Sequence, residues 1–436
     1  MSLKSNILVL LLMCLCLSAG AESQDSIPEV VHPELGQRYV LDGGRLCITH
    51  TGRHQQYSKR EAETYDVDVN SPKSVAFNPQ GTKYYVNSLE GCKTVVYDAR
   101  THEKLTRIRH TFGMRDSMLW APLSGLFLLN EEREEPNRFS GKPVETAFSH
   151  GGRYAWVPYY RRDYDLNAME PSAVAVIDTQ RDRIVRMFET GALPKMVASS
   201  EDGRWVAVSQ WGENTVGLID VSNAEPEDWH YVECFVIDYR LKLDFDPEVA
   251  VNRDSNSGYC LRGTVFTPDG RYLLVGCMGG GGGIAVIDLQ HQKYVGRVTG
   301  MMPNLRHLLI HDGWLYLSIN NKGAVQRIRL SAFVEAIGKM KGRSFKLQGW
   351  ETCRVPAGAR TISISPDGRY IFAACNVGSS LAVVETKSFA MVGEVPVDSY
   401  PVGLDISPDG KTIVVTSQGR NNRGGNAVNI YTVNYE

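Results

Sequence analysis

A short turn recurs along this chain and limits the folds open to it more than any other feature. Residues 75–81, 197–203, 265–270, 362–368 and 404–410 each run as a brief alternating strand into a tight turn, which in the last three reads Pro-Asp-Gly. The turn residues do separate jobs: Pro presets φ, Asp bonds back to the backbone, and Gly accepts a positive φ. A second apolar strand follows each Gly, at residues 84–87, 205–208, 272–275, 370–373 and 413–416. A third ends in an acid, as at Asp98, Asp178, Asp220, Asp288 and Glu385. A more polar fourth strand completes the unit at residues 104–108, 183–187 and 294–298, and looser copies lie around residues 149–152 and 311–313. Four antiparallel strands recurring at about 40 residues or more are the blades of a propeller.

The expectation is therefore all-β: a seven-bladed β-propeller of four-stranded antiparallel blades, closed by an N-terminal strand. The last unit ends near Val433 after three strands. Residues 64–69, which alternate as Thr-Tyr-Asp-Val-Asp-Val, are expected to supply the fourth by pairing with residues 429–433, which removes an exposed edge. A chain of this length would ordinarily form two or three domains, but repeat units pack only on their neighbours and escape that expectation. The organisation expected is a leader over 1–21, an N-terminal segment over 22–63 and a propeller over 64–436.

The second strands carry a family resemblance. Residues 85–88 (Tyr-Val-Asn-Ser), 207–210 (Ala-Val-Ser-Gln) and 414–417 (Val-Thr-containing, Val-Val-Thr-Ser) resemble the signature of the YVTN-repeat β-propeller family, which includes YncE-like proteins. The resemblance runs from about residue 64 onward. It implies the propeller fold and an exported binding or surface protein. The wider superfamily also holds quinoprotein dehydrogenase heavy chains, lactonases and a lyase, so it does not fix a function.

The first 21 residues read as a secretory signal peptide: one charge at Lys4, an apolar run from Ile7 to Leu17, then Ala19 and Ala21 framing a cleavage site before Glu22. The run is shorter than the roughly 20 residues a spanning helix needs. Cys14 and Cys16 lie inside it, but Leu-Leu-Met before Cys14 lacks the small residue of a lipoprotein signal. An exported protein, periplasmic or extracellular, with no membrane span is expected. Removing Lys4 with the leader shifts the formal charge from −2 to −3. So slight a net charge gives no electrostatic case for nucleic-acid or membrane binding.

Candidate site residues follow from the fold. In a propeller the innermost strand of each blade opens at one mouth of the central channel. The residues opening those strands are Lys73, Val144, Lys195, Arg262, Arg306, Arg360 and Val402. Five are basic, and a ring of like charge around a narrow opening focuses positive potential. Loops of the same face add Tyr159, Tyr160, Arg161, Trp211, Asn376 and Arg420, and loops on a rigid scaffold are where binding residues concentrate. Glu145 and His307, each one step into its strand, are the acid and base that symmetry would place across the channel. The expected partner is an anionic small molecule, a sugar or a protein.

Other chemistry finds no support in the sequence. Met278 is followed by five glycines, but no Lys-Ser/Thr and helix follow, so the run is a hairpin and not a phosphate loop. The histidines have no metal spacing. The seven cysteines after the leader show no C-x-x-C pair, and there is no nucleophile elbow. No cofactor, metal or catalytic set is expected.

Overall fold

In the computed structural model, which describes residues 30–127, 140–163, 165–242, 252–255, 257–420 and 423–436, the repeated turn closes on itself in the same way each time. Its Gly sits at φ +66° in Gly81 and +75° in Gly410. A hydroxyl five residues before the next strand accepts that strand's first N–H, as with Ser200 to Trp205 (2.9 Å), Thr267 to Tyr272 (2.9 Å) and Ser365 to Tyr370 (3.0 Å). The turn Asp accepts the N–H two residues on, at 3.0 Å for Asp367 and Arg369. These bonds are local to each hairpin and need no partner from another blade. The leader expected over residues 1–21 lies outside the described residues.

Seven antiparallel sheets result. Blade 1 runs Pro72–Phe77, Lys83–Ser88, Lys93–Asp98 and Lys104–Arg109. Blade 2 has a broken inner strand, Gly141–Pro143 and Ala147–Ser149, then Tyr154–Arg162, Pro171–Asp178 and Arg183–Ala192. The inner strands of blades 3 to 7 are Pro194–Ser199, Leu261–Phe266, Leu305–His311, Ala359–Ile364 and Pro401–Ile406. Blade 4 gains a parallel fifth strand, Ser344–Lys346, beside Lys293–Thr299. In blade 5 a helix, Leu330–Gly338, precedes the last strand, and its Phe333, Ala336 and Ile337 are buried. Among the described residues no helix is long and apolar enough to cross a membrane.

The ring closes through an N-terminal strand, but not the expected one. Leu46–Gln55 pairs with Ala427–Tyr435, with Ile48 opposite Val433 and His54 opposite Val428, and Arg38–Leu41 adds a fifth strand outside it. Residues 64–69 do not pair with the last strand. Their two acids clasp the outer strands of blade 1 instead: Asp66 takes the Tyr97 hydroxyl (3.0 Å) and Lys104 (2.7 Å), and Asp68 takes Lys93 (2.8 Å), Lys104 (2.9 Å) and Arg107 (3.2 Å). Those three cations hold the Asp68 carboxyl well below its usual range against the effect of burial. The alternation of residues 64–69 sets two acids toward bases on two strands of blade 1, while Val69 at its end enters the core between blades 1 and 7.

The cores lie between neighbouring blades. Tyr370, Phe372, Leu381 and Val383 of blade 6, for example, pack on Leu404, Val415 and Tyr431 of blade 7. Each such side chain contributes about 1.5–3 kcal/mol by burial, and Phe372→Ala would cost about 3–5 kcal/mol.

Candidate functional site

Six innermost strands begin with one local device. Two residues before each mouth residue the backbone takes a positive φ: Ser71 (52°), Leu193 (52°), Cys260 (52°), Asn304 (69°), Gly358 (91°) and Tyr400 (62°). The ladder to the second strand then slips. Lys73, Lys195, Arg306 and Val402 are each the extra residue of a β-bulge, and Arg262 and Arg360 share one with the residue after them. A bulge re-aims its side chain, and bulges favour the rims of closed sheets. Leu193 and Tyr400 pay of order 1–3 kcal/mol each for their conformation, and strain of this kind concentrates at functional sites. In blade 2 the inner strand breaks, and Glu145 stands in the gap.

The polar residue of the repeat signature holds the mouth residue of the next blade. Asn87 donates to the Glu145 carbonyl and to Thr146 Oγ1, both at 3.0 Å. Ser318 donates to the Arg360 carbonyl. The Ser209 and Thr264 hydroxyls share a bond of 2.7 Å, and Thr264 donates to the Arg262 carbonyl at 2.8 Å. Blade 4 has Gly276 at that place, and there the strands touch directly: a Cβ on Gly263 would lie 2.7 Å from the Leu308 nitrogen.

The five bases converge, and their charge is only partly balanced. Lys195 is buried with its ammonium 3.0 Å from Asp254 Oδ1, and 3.7 and 4.8 Å from the ring centres of Tyr160 and Trp211. Arg262, 5% exposed, meets Glu145 at 3.3 Å. Lys73, Arg306 and Arg360 have no carboxylate partner among the described residues, and Arg306 and Arg360 each keep a buried Nε with no hydrogen-bond partner. Arg306 Nη1 touches only Met278 Sδ at 3.2 Å.

The electrostatics record the crowding. Burial, then Arg360, Arg262 and Arg306, push the Lys73 ammonium well below its ordinary range. Lys195 is lowered by burial and the same three guanidiniums. Arg360 falls to about 10 through burial and Arg262, with the Tyr400 hydroxyl favouring its charged form. Burial raises Glu145 against the pull of Arg262 and its neighbours. His307 is pushed down to about 4 by burial and Arg262, so it is neutral. Its Nδ1 accepts the Ile362 N–H at 3.4 Å. A cavity of about 10 Å³, room for one water-sized atom, lies among Glu145, Arg262, Arg306, His307 and Arg360.

The other sequence candidates divide. Tyr160 and Trp211 reach the mouth but sandwich Lys195, so their faces are taken. Arg161 lies over the Tyr160 ring at 5.3 Å and donates to the Leu166 carbonyl at 2.7 Å. Asn376 is buried beneath Gly358, two residues before Arg360, with its Oδ1 unbonded. Tyr159 is not at the mouth. It faces the core between blades 1 and 2, fully buried, its hydroxyl 2.9 Å from His110 Nδ1. Arg420 is exposed in its loop and closes a turn with Arg423 at 3.1 Å. Glu145 and His307 share the cavity but do not bond each other. Sequence reading missed Asp254 and Tyr400: the first sits in a long connection, the second just before Val402, which carries no charge.

No family model matches the chain, and no curated protein matches its sequence. Many solved structures share its fold, among them the following two. The Kuenenia stuttgartiensis hydrazine synthase superposes with a TM-score of 0.57 at 16% identity, covering 86% of this chain and 98% of that one. The β-propeller domain of Myceliophteria thermophila Cps50 (Swd1) gives 0.56 at 13% identity, covering 84% and 97%. Identities this low carry the fold alone.

Proposed function

We propose that this chain is an exported, non-catalytic β-propeller of the YVTN type that binds a polar or anionic ligand at its channel mouth. One observation carries the reading: three buried or half-buried cations, Lys73, Arg306 and Arg360, share a mouth with no carboxylate of their own among the described residues. Two like charges about 6 Å apart repel by roughly 3 kcal/mol at an effective dielectric near 20. A ligand anion relieves that repulsion, and the strained, bulged strand starts are a reason to expect function there. The non-catalytic part rests on Glu145 being engaged by Arg262 and on a neutral His307 that does not reach it.

The test is salt-sensitive binding of small anions to the full chain, measured by calorimetry. The Arg262→Ala, Arg306→Ala double variant, folded as judged by its melting curve, is expected to lose it. Unchanged binding in that variant, or none in the wild type, overturns the reading. A protein-interaction scaffold is the second reading. It draws on a groove of about 840 Å³ at the turn end of blades 5 and 6, where Trp314 lies between Arg327 and Arg329 at 4.2 and 3.9 Å.

A further inference from the structure

The arrangement inside the mouth says more than that it is positive. Two of its bases already hold carboxylates supplied by the chain: Asp254 on Lys195 and Glu145 on Arg262. Glu145 does so from the wall of the small cavity. Arg306 and Arg360 line the same cavity and, among the described residues, have no carboxylate such as Arg262 has. The atom left open on both is Nε, buried and unbonded, and Arg360 is 6% exposed. The Nε–H and its neighbouring Nη–H form the side-on edge of a guanidinium, which takes the two oxygens of a carboxylate in parallel hydrogen bonds.

Size narrows the ligand further. About 10 Å³ admits one oxygen-sized atom among the lining side chains. A carboxylate taken on that side-on edge places one oxygen there against Nε–H and its second on the neighbouring Nη–H, with its carbon body directed away. A tetrahedral phosphate or sulfate brings three further oxygens to the same narrow opening and a second negative charge toward Glu145. We propose that Arg306 and Arg360 form a carboxylate subsite, completing a set of three carboxylates in the mouth, and that the ligand is a small organic acid. This rests on the reading of the mouth as an anion site and names the anion.

Calorimetry on the full chain at constant ionic strength, with sodium acetate, propionate, chloride, sulfate and inorganic phosphate as probes, tests it. Acetate and propionate are expected to bind, with phosphate and sulfate at least ten-fold weaker. Arg360→Lys keeps the charge and removes the fork, so acetate is expected to weaken about ten-fold while any chloride binding holds. If that variant does not fold, Arg306→Lys makes the same comparison. Glu145→Gln removes the resident negative charge beside the subsite and is expected to tighten acetate several-fold. Phosphate or sulfate binding within ten-fold of acetate, or Arg360→Lys binding acetate like the wild type, overturns the carboxylate subsite and leaves an anion site standing. No anion binding at all overturns both.

Discussion

The two ends of the blades treat their bases differently. At the turn end Lys83 meets Asp182 at 2.6 Å, Arg153 meets Asp178 at 2.8 Å, and Arg369 meets Asp367 at 2.5 Å. Each of these three bases has an acid from its own blade or the next, and water reaches all three. Such surface pairs are worth about 0–1 kcal/mol. At the mouth, among the described residues, five bases share two acids, and burial removes the solvent screening that makes the turn end cheap. The same repeat therefore yields solvated ion pairs at one end and crowded cations at the other. What separates them is the supply of partners and the depth at which the charges sit.

The largest expected contrast between the ends is steric. A Cβ on Gly263 would meet the backbone of Leu308 and His307 at 2.7 and 2.9 Å, so Gly263→Ala is expected to cost about 3 kcal/mol by forcing two inner strands apart. Gly203, in a turn at the other end, has nothing within 4 Å and only its φ of +73° to lose, so Gly203→Ala should cost about 1 kcal/mol. Urea unfolding of both variants measures the difference. Equal costs would mean the inner strands yield easily and the mouth is not rigid.

Charge comes next. Lys73→Met removes an unbalanced cation at similar volume and is expected to stabilise the fold by about 1–3 kcal/mol. A loss of stability would show that Lys73 has a partner after all. The gain should depend on pH in a set direction. Because the folded Lys73 holds its proton less tightly than the unfolded one, the unfolded chain binds the extra proton between the two pKa values, so wild-type stability rises with pH through that window. The advantage of Lys73→Met is then greatest on the acid side of the window and fades as pH climbs through it. Melting curves of both proteins across a pH series check this, and an advantage that grows with pH contradicts it.

The smallest effect belongs to the turn end. Lys83→Met breaks the pair with Asp182, and because that pair is partly solvated the change is expected to stay within about 1 kcal/mol. A larger loss would erase the distinction between the two ends.

The number of blades and the five mouth bases were legible in the sequence because turn chemistry and strand alternation are local. Side-chain direction along blade 2 was not. Tyr159 and Tyr160 are neighbours on one strand, so they point to opposite faces: one bonds His110 in the core, the other reaches Asp254 at the mouth. A one-residue uncertainty in register exchanges the two, and the insertion around residues 159–165 hides the register. The closing strand was misplaced for a similar reason. Residues 46–55 and 64–69 both alternate, and only the contacts made by Asp66 and Asp68 show which of them turns acids toward bases.

The sequence by itself determined the repeat, the hairpins and the recurrence of a base at one strand position, since each depends on residues a few places apart. The tertiary structure alone decided which bases are balanced. Lys195 finds Asp254 59 residues away and Arg262 finds Glu145 117 residues away, while Lys73, Arg306 and Arg360 find no acid among the described residues. Electrostatic pairing depends on distance and burial in space, and neither is encoded in local spacing.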